Sequence, residues 1–193
     1  MLLLAGVLRM VMTHHTTFFI NSLAHIWGSQ PFTDRNTARD NGILAFFTFG
    51  EGYHNFHHLF ENDYRNGIRW WQFDPTKWLI RSASWCGLAR DLRSCPEERI
   101  EQARLEMQLK RAQAKLRKRE DRELWQALLQ EEYDKLSQQL QLYYASRKSL
   151  LEQRKRKALA RYDKLKLQLE YRNLHDGFVA SKRNWSRLLA GIA

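Results

Sequence analysis

The stretch Gly50-Glu51-Gly52-Tyr53-His54-Asn55-Phe56-His57-His58 packs three of the chain's seven histidines into five positions. On a helix, offsets of three and four set His54, His57 and His58 on neighbouring positions of one face, with their imidazoles converging on a common point. Neutral imidazole is the commonest protein metal ligand and suits iron, zinc, copper or nickel, whereas magnesium and calcium prefer oxygen. A lone histidine here would read as an exposed polar residue. The His-x-x-His-His spacing, flanked by aromatics and led in by Gly-Glu-Gly, reads instead as a metal site.

Working outward, the segment His14-His15-Thr16-Thr17-Phe18-Phe19-Ile20-Asn21-Ser22-Leu23-Ala24-His25 adds a second piece. Asn21 and His25 are four apart, so on one helix they share a face and could address the same centre. His14 and His15 point about 100° apart in ordinary helix geometry, which leaves them a polar or outer role at most. Glu51 precedes His54 by about one turn and Asn55 follows it directly. Either side chain could hydrogen-bond an imidazole from outside the ligand set.

Residues 1–28 form the only long apolar segment, interrupted by Arg9, His14, His15, Asn21 and His25. Such groups are costly in lipid unless they face protein or water, so the pattern suits a spanning helix that carries Asn21 and His25 on an extension beyond the membrane. No basic residue precedes the apolar run and no small-residue cleavage site closes it, which argues against a signal peptide. Gly28 to Asp40 reads as a polar loop, and Gly42 to Phe49 as a short apolar helix that delivers the histidine cluster. Asp74-Pro75 is expected to open a further helix, with Asp74 as N-cap. Trp70, Trp71, Phe73, Trp78 and Trp85 are either a membrane-interface belt or core packing around the cluster. Cys86 and Cys95 give neither a metal signature nor a disulfide framework, in keeping with a reducing compartment.

From Pro96 onward the chain changes character. No Gly or Pro recurs until Gly177, and Leu, Gln, Glu, Lys and Arg dominate, a composition that predicts one or two long helices. Leu105, Leu109, Ala112 and Leu116, then Leu129, Tyr133, Leu136, Leu140, Tyr143 and Leu150, alternate steps of four and three apart from Arg147. That seam is expected to pair as a coiled coil, within the chain or with another copy. One continuous helix from Pro96 to Leu174 would be on the order of 120 Å long. The net charge of +11 resides largely in this tail. The basic runs Lys115–Arg119 and Arg154–Lys157 are interleaved with acids and lack an aromatic platform, so nucleic acid is not expected as a partner. Attraction to anionic lipid headgroups suits them better. His175, alone near the end, reads as solvated.

Three ordered motifs now carry a resemblance. Asn21-Ser22-Leu23-Ala24-His25-Ile26-Trp27-Gly28, Asp34-Arg35-Asn36-Thr37-Ala38-Arg39-Asp40-Asn41 and Gly50-Glu51-Gly52-Tyr53-His54-Asn55-Phe56-His57-His58 resemble the C-terminal catalytic part of membrane fatty acyl desaturases of the stearoyl-CoA (delta-9) type. Asp63-Tyr64-Arg65 and the run from Trp70 to Trp78 continue the match, over about residues 1–93.

The resemblance implies an integral-membrane di-iron oxidoreductase that uses O2 to insert a cis double bond at carbon nine of a long-chain acyl group. It further implies acyl-CoA or acyl-lipid as substrate, and an electron donor of the cytochrome b5, ferredoxin or rubredoxin type. His54, His57 and His58 look like the third histidine box, His25 like the additional metal ligand, and Asn21 like the asparagine that approaches the metal through water. Thr17 and Phe18 fall where the family lines the bend of its acyl tunnel, Phe18 replacing a tryptophan of animal members. The family's His-x4-His box and its first His-x-x-His-His box are absent from this sequence.

The expectation is therefore an all-α chain: residues 1–93 as the C-terminal part of a desaturase domain, 96–176 as a coiled-coil helical tail and 177–193 as a basic C-terminal segment. Metal site and tail would lie on the cytoplasmic side, and the fragment would be inactive alone. Two alternatives stay open, a coiled-coil interaction protein derived from a desaturase remnant and another histidine-box oxygenase such as a hydroxylase.

Overall fold

A computed structural model describes residues 2–117, 121–155 and 161–192. Both basic runs of the tail extend beyond the described residues. Among those residues the fold is all-α: eight helices, with pairing of extended backbone confined to the isolated bridges Ser29–Asp40 and Asp40–Tyr53. The chain divides into two compact units, Met1–Arg104 and Leu105–Ala193.

The first unit opens with α1 (Leu2–Asn21), which is exposed along nearly its whole length. The apolar stretch Leu3–Ile26 is long enough to cross a membrane. Its polar side chains turn back onto their own helix: Thr13 donates to the Arg9 carbonyl at 2.8 Å and Thr17 to the Thr13 carbonyl at 2.9 Å. Such back-bonding satisfies hydroxyls where no water is at hand.

The helix does not continue to His25 as the spacing predicts. The amide and hydroxyl of Ser22 both bond the Phe18 carbonyl, at 2.9 and 2.7 Å, and the chain restarts as α2 (Leu23–Ile26). Asn21 and His25 therefore stand on different helices.

A loop then leads to α3 (Gly42–Phe47), capped by Asn41, whose Oδ1 accepts from the amides of Ile43 and Leu44. After it come α4 (His54–Leu59), α5 (Pro75–Trp85) and the start of α6 (Glu97–Leu116). Asp74 caps α5 through the Lys77 amide at 2.9 Å, with Pro75 at the helix start, as the Asp-Pro pair predicts.

The apolar core of this unit is small: Phe32, Phe56, Ile100 and Ala103. Buried polar groups do much of the rest. Asp63 accepts from the Arg65 guanidinium at 2.7 Å and from the Cys95 amide at 2.8 Å. Asp74 also accepts from the amides of Asn66 and Gly67, while the Lys77 ammonium donates to the carbonyls of Gly67, Arg69 and Gln72. Each polar group is buried only because its partners are buried with it. Cys86 and Cys95 are free thiols.

The second unit comprises the rest of α6 with α7 (Arg122–Lys155) and α8 (Arg161–Ile192), α7 and α8 packing side by side. The tail is thus three described helices rather than one or two. Leu105, Ala112, Leu116, Leu129, Leu136 and Leu140, all from the predicted seam, are buried together with Trp185 and Ile192. Folding back buries the seam within one chain, where the partner surface is held at high effective concentration. Tyr143, also a seam residue, stacks on Phe178 at 5.3 Å and shares a 3.1 Å hydroxyl contact with Tyr171. Trp185 donates to Gln108 at 2.7 Å. Helix α8 runs through Gly177: its neighbour is the Gln139 side chain, and Ser181 one turn on donates to that same Gln139 at 2.7 Å.

Candidate metal centre

Helix α4 is too short to hold itself, and Tyr53 at its N-cap makes no capping bond from its side chain. Asp40 does that work from across the loop. Its Oδ1 accepts from the amides of Asn55 and Phe56 at 2.8 and 3.1 Å, two of the first-turn donors that a helix leaves unpaired. Burial pushes the Asp40 carboxyl up to about 6, against the pull of those two amides and of Arg104.

Asn55, wholly buried, fastens the 32–38 loop with all four of its bonding positions. Oδ1 accepts from the amides of Phe32 and Thr33, and Nδ2 donates to the carbonyls of Thr33 and Ala38. A primary amide offers no further donor. Asn55 therefore does not bond an imidazole, and Glu51 is likewise turned aside, accepting from Asn66 at 2.8 Å. The expected outer hydrogen bonds to the histidines are replaced by bonds that shape the loops around them.

The two glycines before the cluster are steric requirements. A side chain at Gly52 would run into the backbone of Ala45, and Gly50, at φ +107°, has Asp74 against the place where a Cβ would sit. Close approach and positive φ are both roles that glycine alone fills without strain.

On this scaffold the imidazoles of His25, His54 and His58 meet, one potential ligand atom from each lying within 4.8 Å of the others. His54 Nε2 is 3.2 Å from His25 Nε2 and 3.0 Å from His58 Nε2. Thr37 Oγ1 lies 2.8 Å from His25 Nδ1 and orients that ring, a second-layer contact of the kind that fixes a ligand's tautomer.

His57 stands outside the group. Its ring stacks near that of His54, with centroids 6.2 Å apart. It lies 6.0 Å from the ring of His58 as well, beside the three-nitrogen group rather than within it. The three-way convergence expected of His54, His57 and His58 thus becomes His25, His54 and His58.

Burial, and then the neighbouring charges of His58, His25 and His57, pull the His54 imidazole down to about 4. His58 is lowered for the same reasons, burial first, with Glu61 opposing. Both are held in the neutral form that binds a metal. The chemistry of the donor set fits one first-row divalent ion: three imidazole nitrogens facing one another, with His54 Nδ1 buried and unpartnered on the far side.

The remaining predicted residues lie on α1. Asn21 Nδ2 donates to its own helix at the Thr17 carbonyl, 3.2 Å away, and Phe18 is exposed beside His14. Asp40 and Thr37 were not singled out by sequence. Both lie in the 34–41 motif, but nothing in it marks their individual roles, since each acts on residues 12 to 16 positions away through a loop.

The histidine cluster thus lies just beyond an apolar stretch long enough to cross a membrane, and residues 1–84 match the fatty acid desaturase family model. The chain is also similar to acyl-CoA and acyl-lipid desaturases. It is 57% identical to the probable acyl-CoA desaturase of Schizosaccharomyces pombe over 97 residues, half of this chain and 20% of that protein. Acyl-CoA desaturase 1 of Saccharomyces cerevisiae is 52% identical over 114 residues, 59% of this chain and 22% of that protein. Delta-9 acyl-lipid desaturase 1 of Arabidopsis thaliana is 44% identical over 82 residues, 42% of this chain and 27% of that protein. The chain thus spans about a fifth to a quarter of the length of the relatives it matches.

Proposed function

We propose that residues 1–93 supply the third-histidine-box portion of an integral-membrane, di-iron fatty acyl delta-9 desaturase, with the metal site and the tail on the cytoplasmic side. The observation that carries this reading is the meeting of the His25, His54 and His58 ring nitrogens at the end of an apolar helix, within residues that match the desaturase family. His25, His54 and His58 would hold iron, with His57 beside them as the remaining member of the box and Asn21 reaching the metal through water. Bound iron supplies the activation of O2 that removal of hydrogen from an unactivated methylene pair requires.

The chain's own residues prepare that site. Burial keeps His54 neutral, Thr37 sets the ring of His25, Asp40 anchors the first turn of α4, and Asn55 holds the 32–38 loop against the helix. Thr17 and Phe18, on α1, would line the acyl tunnel. Three converging imidazoles suffice for one ion, so a di-iron centre draws its other ligands from further histidine boxes, and this segment alone is inactive. Substrate would be acyl-CoA or acyl-lipid, and electrons would come from a carrier of the cytochrome b5, ferredoxin or rubredoxin type.

Elemental analysis of the chain purified in detergent tests the metal assignment. Bound iron that is lost in His25→Ala, His54→Ala and His58→Ala, and retained in Glu51→Gln, is the expected result. Iron content indifferent to all three histidines would overturn it.

A second reading concerns residues 105–193 alone. They lie beyond the family match and bury their own apolar seam, so this unit would serve as a helical interaction module attached to the desaturase segment.

A further inference from the structure

Five of the seven tryptophans, Trp27, Trp70, Trp71, Trp78 and Trp85, are exposed, and all five belong to the first unit. They are not scattered. The ring of Phe46 on α3 lies 4.8 Å from Phe73, which lies 5.7 Å from Trp78 on α5. Trp78 Nε1 reaches the Trp70 carbonyl at 3.4 Å, and Trp70 packs edge-on against Trp71 at 5.8 Å. Trp85 follows Trp78 by seven residues, two turns along the same side of α5. A connected aromatic surface thus runs from α3 through the 70–73 loop to α5, with Trp70 81% and Trp85 76% exposed. Continuous apolar surface of this kind marks a place where something other than water is met.

Three observations choose what is met. Tryptophan, apolar at one end and a hydrogen-bond donor at the other, favours the headgroup level of a bilayer. From Gly67 to Arg90 the only acidic residue is Asp74, which is buried and fully engaged with backbone amides, whereas Arg69, Arg81 and Arg90 are exposed. The Arg69 guanidinium lies 5.1 Å from the centre of the Trp71 ring, so cation and aromatic present together. Lastly, the surface is continuous with the apolar helix. Ser29, two residues past Trp27, exchanges backbone hydrogen bonds of 3.0 and 2.7 Å with Asp40, and α3 opens two residues after Asp40. The exposed face of α3, with Ile43, Phe46 and Phe47, is thereby tied to the exit of α1–α2.

We infer that α3, the 70–73 loop and α5 form an aromatic and basic belt that beds into an anionic headgroup layer beside the point where the apolar helix leaves the bilayer. This rests on the reading of Leu3–Ile26 as a spanning segment. The belt would fix the height and tilt of the histidine cluster relative to the lipid from which an acyl chain enters.

The test uses the whole chain reconstituted in vesicles of phosphatidylcholine and phosphatidylserine, with Trp27→Phe so that the helix exit contributes no signal. Tryptophan emission is quenched with lipids carrying a nitroxide at the headgroup or bromine deep in the acyl chain, and alkaline carbonate extraction is run on the same vesicles. Headgroup quenching at least twice the deep quenching, reduced by half or more on adding Trp70→Phe, Trp71→Phe and Trp85→Phe, is expected. These three rings are exposed, so their replacement leaves the core intact. Retention after carbonate without headgroup quenching would overturn the belt and leave the spanning helix standing, the result expected if a protein surface covers these rings. Quenching unchanged by the triple substitution would also overturn it. Release by carbonate with headgroup quenching preserved would remove the spanning helix and keep the belt.

Discussion

The two units of this chain solve opposite problems with the same alphabet. In Met1–Arg104 the polar side chains of Asn55, Asp63, Asp74 and Lys77 are inside, while the leucines of α1, the phenylalanines of α3 and the tryptophans of α5 are outside. In Leu105–Ala193 an apolar seam is inside and lysines, arginines and glutamates face out. The second arrangement is what water demands. The first makes sense only if part of its surface meets something apolar, and it moves the burden of holding the fold from area burial to hydrogen bonds with fixed partners.

That contrast predicts where each unit breaks. Asn55→Ala should have the largest effect on the first unit, because it orphans the amides of Phe32 and Thr33 and the carbonyls of Thr33 and Ala38 together. At about 1–3 kcal/mol for each buried group left unmade, the loss is on the order of 5 kcal/mol. Hydrogen exchange should show the 32–38 loop and α4 opening, and iron should be lost, with α7 and α8 unchanged. Protection of the loop at its original level would show that the amide network is not what holds it.

Leu140→Ala addresses the other side. Its side chain is wholly buried in the seam, and removing it should cost about 2–5 kcal/mol in the second unit. The helical melting of α7 and α8 should drop while the histidine cluster keeps its metal. A coupled loss of both would mean that the two units do not fold separately.

Two groups of the site respond to pH with opposite sign. The His54 imidazole is lowered to about 4 in the fold, so stability present above the ordinary histidine range is lost as pH falls from about 6.5 toward 4. The Asp40 carboxyl is raised to about 6, so its ionisation weakens the fold as pH rises from about 4 toward 6. Between pH 4 and 6 the two slopes oppose each other. Asp40→Asn keeps an oxygen for the amides of Asn55 and Phe56 but cannot ionise. Thermal melts of the metal-free variant should rise with pH across this range more steeply than those of the parent, and parallel melts would show that Asp40 does not titrate there. At the small end, Lys135→Ala removes exposed pairs with Glu131 and Glu132 and should leave the melting of α7 unchanged, since such surface contacts contribute little.

How much of this was readable beforehand differs by element. The cap at Asp74 and the need for helices after Pro96 follow from residue types, and the structure has both. The pairing of the seam was legible from its spacing, but not that it closes on α8: Trp185 and Phe178 lie outside the seam and carry no marker of a partner. The aromatic group around residues 70–85 was ambiguous between belt and core, because a tryptophan's sequence context does not say which way it faces. Exposure decides that Trp70, Trp71, Trp78 and Trp85 are not core.

For the site, sequence alone determined that imidazoles at three-and-four spacing would crowd one short helix and that His25 stood within reach of them. Tertiary structure decided which of them meet. A break at Ser22 separated Asn21 from His25, His57 was left beside the group that His25, His54 and His58 form, and loop closure delivered Thr37 and Asp40. Periodicity is a local property of backbone geometry and can be counted along a chain. Convergence of ring nitrogens from His25 and His54, 29 residues apart, depends on a loop whose path is set by the buried amide of Asn55 and by glycines with no room for a side chain.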